Sequence, residues 1–225
     1  DILIIGSGPG GAITAWESKK NNRDVLIIEA GDHFELESCE PYSTTEMEQK
    51  YKYGGLTPSF YNPKISYVEG GCVGGGSEVN SGFYHRAPNE IVEDWKKKYS
   101  INDFSNESLL SHYKIIEEEI SVSHLPDKQK AAKASLMLKK GADKLGWKNM
   151  EVPRWFNFDN NEDGIKQSMT KTYIKWYLED GGRLLSCLKA KKIKRVGKEW
   201  LVICIDLKNN KEIKIKAKTL FLCSG

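Results

Sequence analysis

The chain has 225 residues, 39% of them hydrophobic, and its 34 basic and 31 acidic side chains give a formal net charge of +3. This composition predicts a globular protein with one sizeable core, and so small a net charge does not favour a nucleic-acid partner. No apolar run approaches the roughly 18–20 residues of a membrane-spanning helix, so we expect no transmembrane segment.

The first element is a short strand that runs into a glycine-rich loop. The apolar run 2–5 predicts a buried parallel strand, because it is brief, β-branched and stopped by glycine. In the loop, Gly6 permits a tight turn, Gly8 lets the backbone approach a pyrophosphate, and Gly11 lets the next helix pack closely on the strand. The complete loop is Gly6, Ser7, Gly8, Pro9, Gly10 and Gly11.

A helix and a second strand complete this unit. Pro9 suits the first turn of a helix that ends near residue 20, and its N-terminus is predicted to face phosphate. The strand 25–28 follows and leads into Glu29 and Ala30. Glu29 lies 18 residues beyond Gly11, close to the spacing of a carboxylate that binds a ribose 2′-hydroxyl. A carboxylate there repels a 2′-phosphate, so NADP is disfavoured.

A second glycine-rich segment follows about 65 residues after the first, and five of the seven residues 70–76 are glycine. So much glycine does not favour a helix or a regular strand, and it lets backbone N–H groups approach a ligand. The polar side chains of Ser77 and Asn80 add hydrogen-bonding groups. A flexible linker is the weaker alternative, because an ordered-looking sequence follows at once. The two loops and the carboxylate between them indicate a bound flavin, and hence redox chemistry.

The rest of the chain predicts a mixture of helices and strands. Residues 36–67 contain several prolines and tyrosines and predict a long loop across the cofactor face. Helical spacing follows at 89–98, 106–121 and 128–146, then a loop at 150–164 and a helix at 168–179. The last third predicts strands at 184–188, 192–196, 199–207, 211–216 and 219–223, with a hairpin turn at 208–210.

This order of elements predicts an α/β fold, a Rossmann-like doubly wound parallel sheet with a β-meander and an inserted helical segment. We divide the chain into residues 1–90, the first part of the nucleotide-binding domain, 91–163, a helical insertion, and 164–225, the domain's continuation. Both chain ends fall within the predicted sheet, where native termini are rare. We therefore expect the chain to be part of a longer protein.

The cysteines and histidines indicate neither a disulfide framework nor a metal site. The five cysteines are odd in number, widely spaced and without a CxxC pair, and the four histidines show no metal-ligand spacing. A reducing, cytoplasmic location is the expectation.

The two loops and the strand end at Glu29 together resemble the glucose–methanol–choline (GMC) oxidoreductases, a family of FAD-dependent alcohol oxidases and dehydrogenases. The family's second motif is Gly-Gly-Ser-Ser-x-x-Asn, and Gly74, Gly75, Ser77 and Asn80 match it, whereas Gly76 replaces the commoner serine. The resemblance is dense over residues 1–35 and 68–90, looser over 164–225, and absent from 91–163.

The resemblance implies a role for each loop. The first loop would hold the FAD pyrophosphate, Glu29 the adenosine ribose, and the second loop would lie along the pyrophosphate and the flavin ring, with Asn80 near the ring. It also implies that Ala190 lies near the adenine. The cofactor-binding residues would then be Gly6, Ser7, Gly8, Pro9, Gly10, Gly11, Glu29, Ala30, Gly74, Gly75, Gly76, Ser77, Asn80, Ala190 and Gly225.

The attachment of FAD is expected to be noncovalent. Some family members link FAD to a histidine just before the motif's asparagine, and Val79 occupies that position here. Cys72 is a remote candidate for a flavin thioether, although a small buried hydrophobic role suits it better.

The implied reaction is hydride transfer from a small-molecule alcohol to flavin, with an unpredicted electron acceptor. The family's histidine base belongs to a C-terminal part that these residues do not include, so we predict no catalytic residue. His85 and Arg86 could line the substrate face, or could hold the loop structurally. Two alternatives are another two-loop flavoprotein, of the amine oxidase or monooxygenase type, and a noncatalytic dinucleotide-binding module.

Overall fold

The computed structural model describes residues 1–59, 65–101, 104–126, 131–159 and 163–225. Within these ranges the strands are β1 (Ile2–Ile5), β2 (Val25–Ile28), β3 (Thr57–Pro58), β4 (Ser66–Tyr67), β5 (Val122–Ser123), β6 (Arg154–Asn157), β7 (Ile165–Lys166), β8 (Arg183–Leu185), β9 (Leu188–Val196), β10 (Glu199–Asp206), β11 (Glu212–Ala217) and β12 (Thr219–Leu222). The α-helices are α1 (Pro9–Lys20), α2 (Thr44–Lys50), α3 (Gly76–Val79), α4 (Asn89–Tyr99), α5 (Asn106–Glu119), α6 (Lys133–Lys144) and α7 (Tyr173–Glu179).

A four-stranded parallel sheet lies at the centre of the first part of the fold. Its order is β12, β1, β2, β8, and Ile2 of β1 pairs with Val25 on one side and Thr219 on the other. The inner strands are apolar on both faces because both faces are covered, as is typical of parallel sheets. Leu3 and Ile4, which point to opposite faces, are 1% and 0% exposed. The predicted α/β fold is confirmed.

Each face of this sheet is covered by a different layer. Helix α1 packs against α7 on one face, where Trp16 and Trp176 lie 5.9 Å apart between ring centroids. The other face, carrying Leu3 and Ile28, packs with Val202 and other meander residues in one hydrophobic cluster. The meander is an antiparallel sheet of order β11, β10, β9. The sequence predicted its hairpin correctly, because alternating apolar residues there flank a polar turn.

Four local predictions are wrong. The helix predicted from residue 168 begins only at Tyr173, after a hydrogen-bonded turn. Residues 150–164 contain a strand, because β6 pairs with both β5 and β7. The described residues of 36–67 contain α2 and the antiparallel strand pair β3–β4 rather than a continuous loop. Residues 60–64 lie outside the described ranges. Residues 76–79 form one helical turn despite the glycine content, since Glu78 and Asn80 donate backbone N–H bonds to Gly75 and Gly76.

The chain forms two compact units. The first comprises residues 1–80 and 168–225, and the second residues 81–167. The second unit contains α4, α5 and α6 together with the antiparallel sheet β5, β6, β7. The division into domains at residues 90 and 163 stays a prediction.

Candidate functional site

The first glycine loop lies at the carboxyl ends of β1 and β2, where open α/β sheets bind their ligands. Its start is held by the sheet itself, since Gly6 N donates to Ile28 O at 2.9 Å. Glu29, directly after β2, donates its N–H to Leu185 O at 2.9 Å. The loop and the carboxylate are thus placed side by side by neighbouring parallel strands.

Two glycines of the first loop are required by packing inside the protein. Gly6 has a φ of +99°, and a Cβ there would lie 2.5 Å from Cys223 O. A Cβ on Gly11 would lie 1.9 Å from Gly6 O, which is far inside van der Waals contact. Helix α1 therefore approaches β1 closely only because Gly11 has no side chain, as the spacing predicts.

Other glycines of the two loops have no such packing reason. A Cβ added to Gly8, Gly10 or Gly76 would meet nothing within 4 Å. Gly8 also has an ordinary φ of −62°, which any residue can adopt. Where neither backbone conformation nor packing requires a glycine, its missing side chain leaves space beside the amide. Gly8 caps the N-terminus of α1, where the amide groups lack intrahelical acceptors. The site therefore fits a pyrophosphate.

Glu29 joins this loop to the end of β2. Its Oε2 accepts hydrogen bonds from Ser7 N at 2.9 Å and from the Ser7 hydroxyl at 2.8 Å. Its Oε1 accepts from Gly31 N at 2.9 Å. A carboxylate has about four lone-pair positions, so these bonds leave it able to accept from a ribose hydroxyl.

Ser7 also joins the two glycine loops. Its Oγ, already donating to Glu29, accepts a hydrogen bond from Gly74 N at 3.1 Å. The loops also meet at their glycines, since a Cβ on Gly75 would lie 3.0 Å from Gly8 Cα. The structure thus brings together loops that are more than 60 residues apart in the sequence, as one dinucleotide site requires.

The polar residues of the second loop take different positions. Ser77 is 1% exposed, and its Oγ lies 2.8 Å from Gly74 O and accepts from Met169 N at 3.1 Å. Asn80 is exposed and ends α3, with its N–H donating to Gly76 O at 3.0 Å. The Ser77 hydroxyl is therefore directed into the protein, whereas Asn80 lies at the surface of the loop.

The remaining predicted site residues are more dispersed. Ala190 lies on β9, pairs with Cys204 and packs against the meander side of the core. Gly225 follows β12, and the preceding Cys223 and Ser224 contact Gly6. Ala30 is exposed after β2. Cys72 is 2% exposed and forms a parallel bridge with Asp32, as expected of a small buried residue.

Sequence reasoning missed Glu78, a carboxylate that is 1% exposed directly behind the second loop. Its Oε2 accepts a hydrogen bond from the Thr170 hydroxyl at 2.8 Å. The sequence signal was faint, because an acidic residue at an unspecified position of the motif has no unusual neighbours in the chain. Its importance comes from a partner 92 residues away.

In the second unit, His85 is exposed and Arg86 holds a structural ion pair. Arg86 Nε and Nη2 lie 2.5 and 2.6 Å from the two oxygens of Glu117, and Tyr84 donates to Glu117 Oε1 at 2.9 Å. The hydrogen bond from Arg86 lowers the pKa of Glu117. Burial, aided by the bond to Glu117, raises the pKa of Tyr84 to about 12. These contacts favour the structural role for Arg86.

The described ranges contain no cluster of histidine, cysteine or acidic side chains able to hold a metal ion. In the same ranges, no helix has both the length and the apolar character needed to cross a bilayer.

A parallel sheet with a glycine loop, a helix N-terminus and a carboxylate at the next strand's end defines a Rossmann-type dinucleotide-binding protein. A model of the NAD(P)-binding Rossmann-like domain matches residues 4–56. The GMC oxidoreductase family model matches residues 47–225, and the chain belongs to this family. Membership together with the dinucleotide-binding fold implies a flavin cofactor.

Two relatives illustrate the range of sequence similarity. The chain is 30% identical over its full length to an uncharacterised GMC-type oxidoreductase, y4nJ, of Sinorhizobium fredii, of which it covers 46%. It is 26% identical over 68% of its length to the long-chain-alcohol oxidase FAO3 of Arabidopsis thaliana, of which it covers 20%. The chain thus spans less than half the length of these relatives.

Two solved structures share the fold. Pyridoxine 4-oxidase from Mesorbium loti matches the whole chain with a TM-score of 0.74 and 17% identity, and the chain covers 49% of it. A fungal aryl-alcohol oxidase matches the whole chain with a TM-score of 0.72 and 16% identity, and the chain covers 45% of it. At these identities the likeness concerns the fold alone.

Proposed function

We propose that the chain is the FAD-binding portion of an oxidoreductase that acts on CH–OH groups, with hydride transfer from a small-molecule alcohol to flavin. The observation that carries the proposal is the junction of the two glycine loops at Ser7, which forms one cradle beside Glu29. Family membership and the names of the relatives, alcohol oxidases among them, support the choice of alcohol.

Different residues of the cradle would bind different parts of FAD. The amide groups at the N-terminus of α1 would bind the pyrophosphate, because their dipoles favour negative charge. Glu29 would accept from the adenosine ribose, and Asn80 would lie near the flavin ring. We also propose that Ala190 lies near the adenine, and that Gly225 contributes from the strand end next to Gly6.

The flavin supplies the hydride acceptor when it is bound. We propose noncovalent attachment, because Val79 stands where some family members carry the linking histidine. Removal of the alcohol's hydroxyl proton needs a base, and we assign that role to no residue of this chain. The electron acceptor is not part of the proposal, and a cytoplasmic location stays a prediction from cysteine usage.

Reconstitution with FAD tests the cofactor proposal. The purified chain is incubated with FAD and desalted, and we expect flavin absorbance to remain with the protein and to be released by acid precipitation. Gly8→Ala should abolish or strongly weaken binding while costing the apoprotein no more than about 1 kcal/mol, because its Cβ would meet nothing within 4 Å and alanine is only a poorer N-cap than glycine. A wild-type chain that retains no flavin would contradict the proposal. Flavin remaining in the acid pellet would contradict noncovalent attachment.

The reaction is tested on the product of the full reading frame that encodes the chain. Anaerobic mixing with primary alcohols should bleach the flavin absorbance, and matched amines should not. Bleaching by amines alone would favour the amine-oxidase alternative, and binding of FAD without reduction by any substrate would favour a noncatalytic module.

A further inference from the structure

We propose that Glu78 is a positioning residue of the cofactor cradle, holding the second glycine loop in the shape that places Gly75 against the first loop and Gly76 toward FAD. The inference rests on the proposed FAD site. Glu78 occupies a position that the family motif leaves unspecified, and its side chain is 1% exposed. Burying a carboxylate without hydrogen-bond partners costs free energy, so the partners of Glu78 indicate its role.

Glu78 fastens the loop to the turn that precedes α7. Its Oε2 accepts from the Thr170 hydroxyl at 2.8 Å, and its Oε1 accepts from Thr170 N at 3.2 Å. Ser77 reinforces the same connection, since its hydroxyl accepts from Met169 N at 3.1 Å. The turn at 168–172 is itself buried and internally hydrogen-bonded, so it provides a rigid anchor.

The carboxylate also fills the space that Gly74 leaves. A Cβ on Gly74 would lie 2.1 Å from Glu78 Oε1, and Gly74 adopts a φ of +90°. On its carbonyl side, Gly74 O accepts from the Ser77 hydroxyl at 2.8 Å. On its amide side, Gly74 N donates to Ser7 Oγ at 3.1 Å. Gly74 is therefore held by the Glu78 carboxylate beside its Cα, by the Ser77 hydroxyl at its carbonyl and by the Ser7 hydroxyl at its amide.

This arrangement links Glu78 to the cofactor rather than to the core alone. The next residue, Gly75, meets Gly8 of the first loop, and Gly76 faces open space where a ligand fits. Loss of the carboxylate would free Gly74 to change conformation. Gly75, whose N–H donates to Cys72 O at 2.9 Å, and Gly76 would shift with it. We therefore expect replacement of Glu78 to weaken FAD binding by more than the accompanying loss of apoprotein stability would explain.

The test compares four variants of the full chain by FAD titration and by apoprotein unfolding. Glu78→Ala should weaken FAD binding about ten- to hundredfold, the effect expected when buried hydrogen-bond donors lose their acceptor. Glu78→Gln, which keeps one acceptor oxygen, should recover part of the affinity. Thr170→Val should weaken binding in the same direction, and the Glu78→Ala/Thr170→Val pair should bind no worse than Glu78→Ala alone.

Tyr177→Phe is the matched control. Tyr177 is fully buried in the same unit, and its hydroxyl donates to Val25 O at 2.8 Å and accepts from Arg183 N at 2.9 Å. Its removal should lower apoprotein stability and leave the FAD dissociation constant within about twofold of wild type. The visible circular dichroism of bound flavin should change in the Glu78 and Thr170 variants and not in this control.

The outcomes separate the two proposals. If wild type binds FAD and Glu78→Ala binds it as tightly as Tyr177→Phe, the positioning role is overturned and the proposed function stands. If Glu78→Ala does not fold, Glu78→Gln and Thr170→Val decide: unchanged affinity and unchanged flavin dichroism in both would overturn the role. A wild-type chain without FAD affinity would overturn the proposed function and this inference together.

Discussion

At the scale of single residues, two polar networks hold the loops of this protein. In the first unit, Ser7 places one hydroxyl between the carboxylate of Glu29 and the amide of Gly74. In the second unit, Glu117 accepts from both Arg86 and Tyr84. Each network depends on one side chain with two partners, so each offers a substitution with a defined consequence.

Ser7→Ala should lower the free energy of unfolding by about 1–3 kcal/mol, because the buried Gly74 N–H loses its acceptor. It should also weaken FAD binding, since the two loops lose their connection. Urea unfolding and FAD titration measure both effects. Thr14→Ala is the control, as the Thr14 hydroxyl makes an exposed bond to Gly10 O and its loss should cost less than about 0.5 kcal/mol. Equal losses in the two variants would contradict the bridging role.

Glu117→Gln should have a pH-dependent effect on stability. Arg86 lowers the pKa of Glu117 below its ordinary value of 4.5, so the ionised carboxylate stabilises the folded state above that value. This stabilisation is lost as pH falls through the folded-state pKa. The difference in Tm between wild type and Glu117→Gln should therefore be largest near neutral pH and shrink below pH 4.5. Glu118→Gln, the same exchange at an exposed neighbouring position, is the control. A Tm difference for Glu117→Gln that does not change with pH would contradict the role of the Arg86 ion pair.

At the scale of elements, the contact between β1 and α1 determines where the helix N-terminus lies. Helix α1 buries small residues, Gly11, Ala12 and Ala15, against the sheet. Because its first turn begins directly after Gly8, this packing also positions the amides proposed to bind pyrophosphate. Helix packing and the proposed cofactor binding therefore depend on different glycines of the same loop.

Gly11→Ala and Gly10→Ala should have opposite effects on the apoprotein. A Cβ on Gly11 would lie 1.9 Å from Gly6 O, and overpacking against backbone costs about 1–3 kcal/mol or more. A Cβ on Gly10 meets nothing within 4 Å, so the gain in helix propensity should raise stability by up to about 1 kcal/mol. Thermal unfolding without FAD measures both. A Gly11→Ala protein as stable as wild type would contradict the close helix–strand contact.

At the scale of the whole molecule, the proposed cofactor site is assembled from distant parts of one compact unit. Residues 1–80 and 168–225 form that unit, and the central sheet takes β12 from the far end of the chain beside β1. The parallel sheet, the helices on one face and the meander on the other make a three-layer support. A ligand that binds the loops should therefore stabilise the unit as a whole.

FAD at 100 times its dissociation constant should stabilise the chain by about 2.7 kcal/mol. Hydrogen exchange should show added protection at residues 6–11 and 74–80, and little change at the exposed turn 208–210 of the meander. NADP should give a smaller shift, since Glu29 disfavours a 2′-phosphate. Equal stabilisation by NADP, or protection confined to the meander, would contradict the proposed site.

Much of the fold was predictable because its signals are local. The apolar runs of β1 and β2, the proline at the start of α1 and the polar hairpin turn of the meander each specify their element through neighbouring residues. Strand β6 was not predictable, since it is defined by pairing with β5 and β7 rather than by its own sequence. Helix α2 was not predicted either, because it lies within a segment rich in proline and tyrosine.

The amino-acid sequence alone indicates a dinucleotide site. In such sites the glycine beside the phosphate has a characteristic spacing from the carboxylate at the end of the next strand. Only the folded structure shows how the loops are held. Ser7 bonds to Gly74, 67 residues away, and Glu78 bonds to Thr170, 92 residues away. The residues next to Ser7 and Glu78 in the sequence do not predict these partners. The physical reason is that glycine geometry is a property of the local backbone, whereas burial and hydrogen-bond satisfaction of a polar side chain depend on whatever the fold brings next to it.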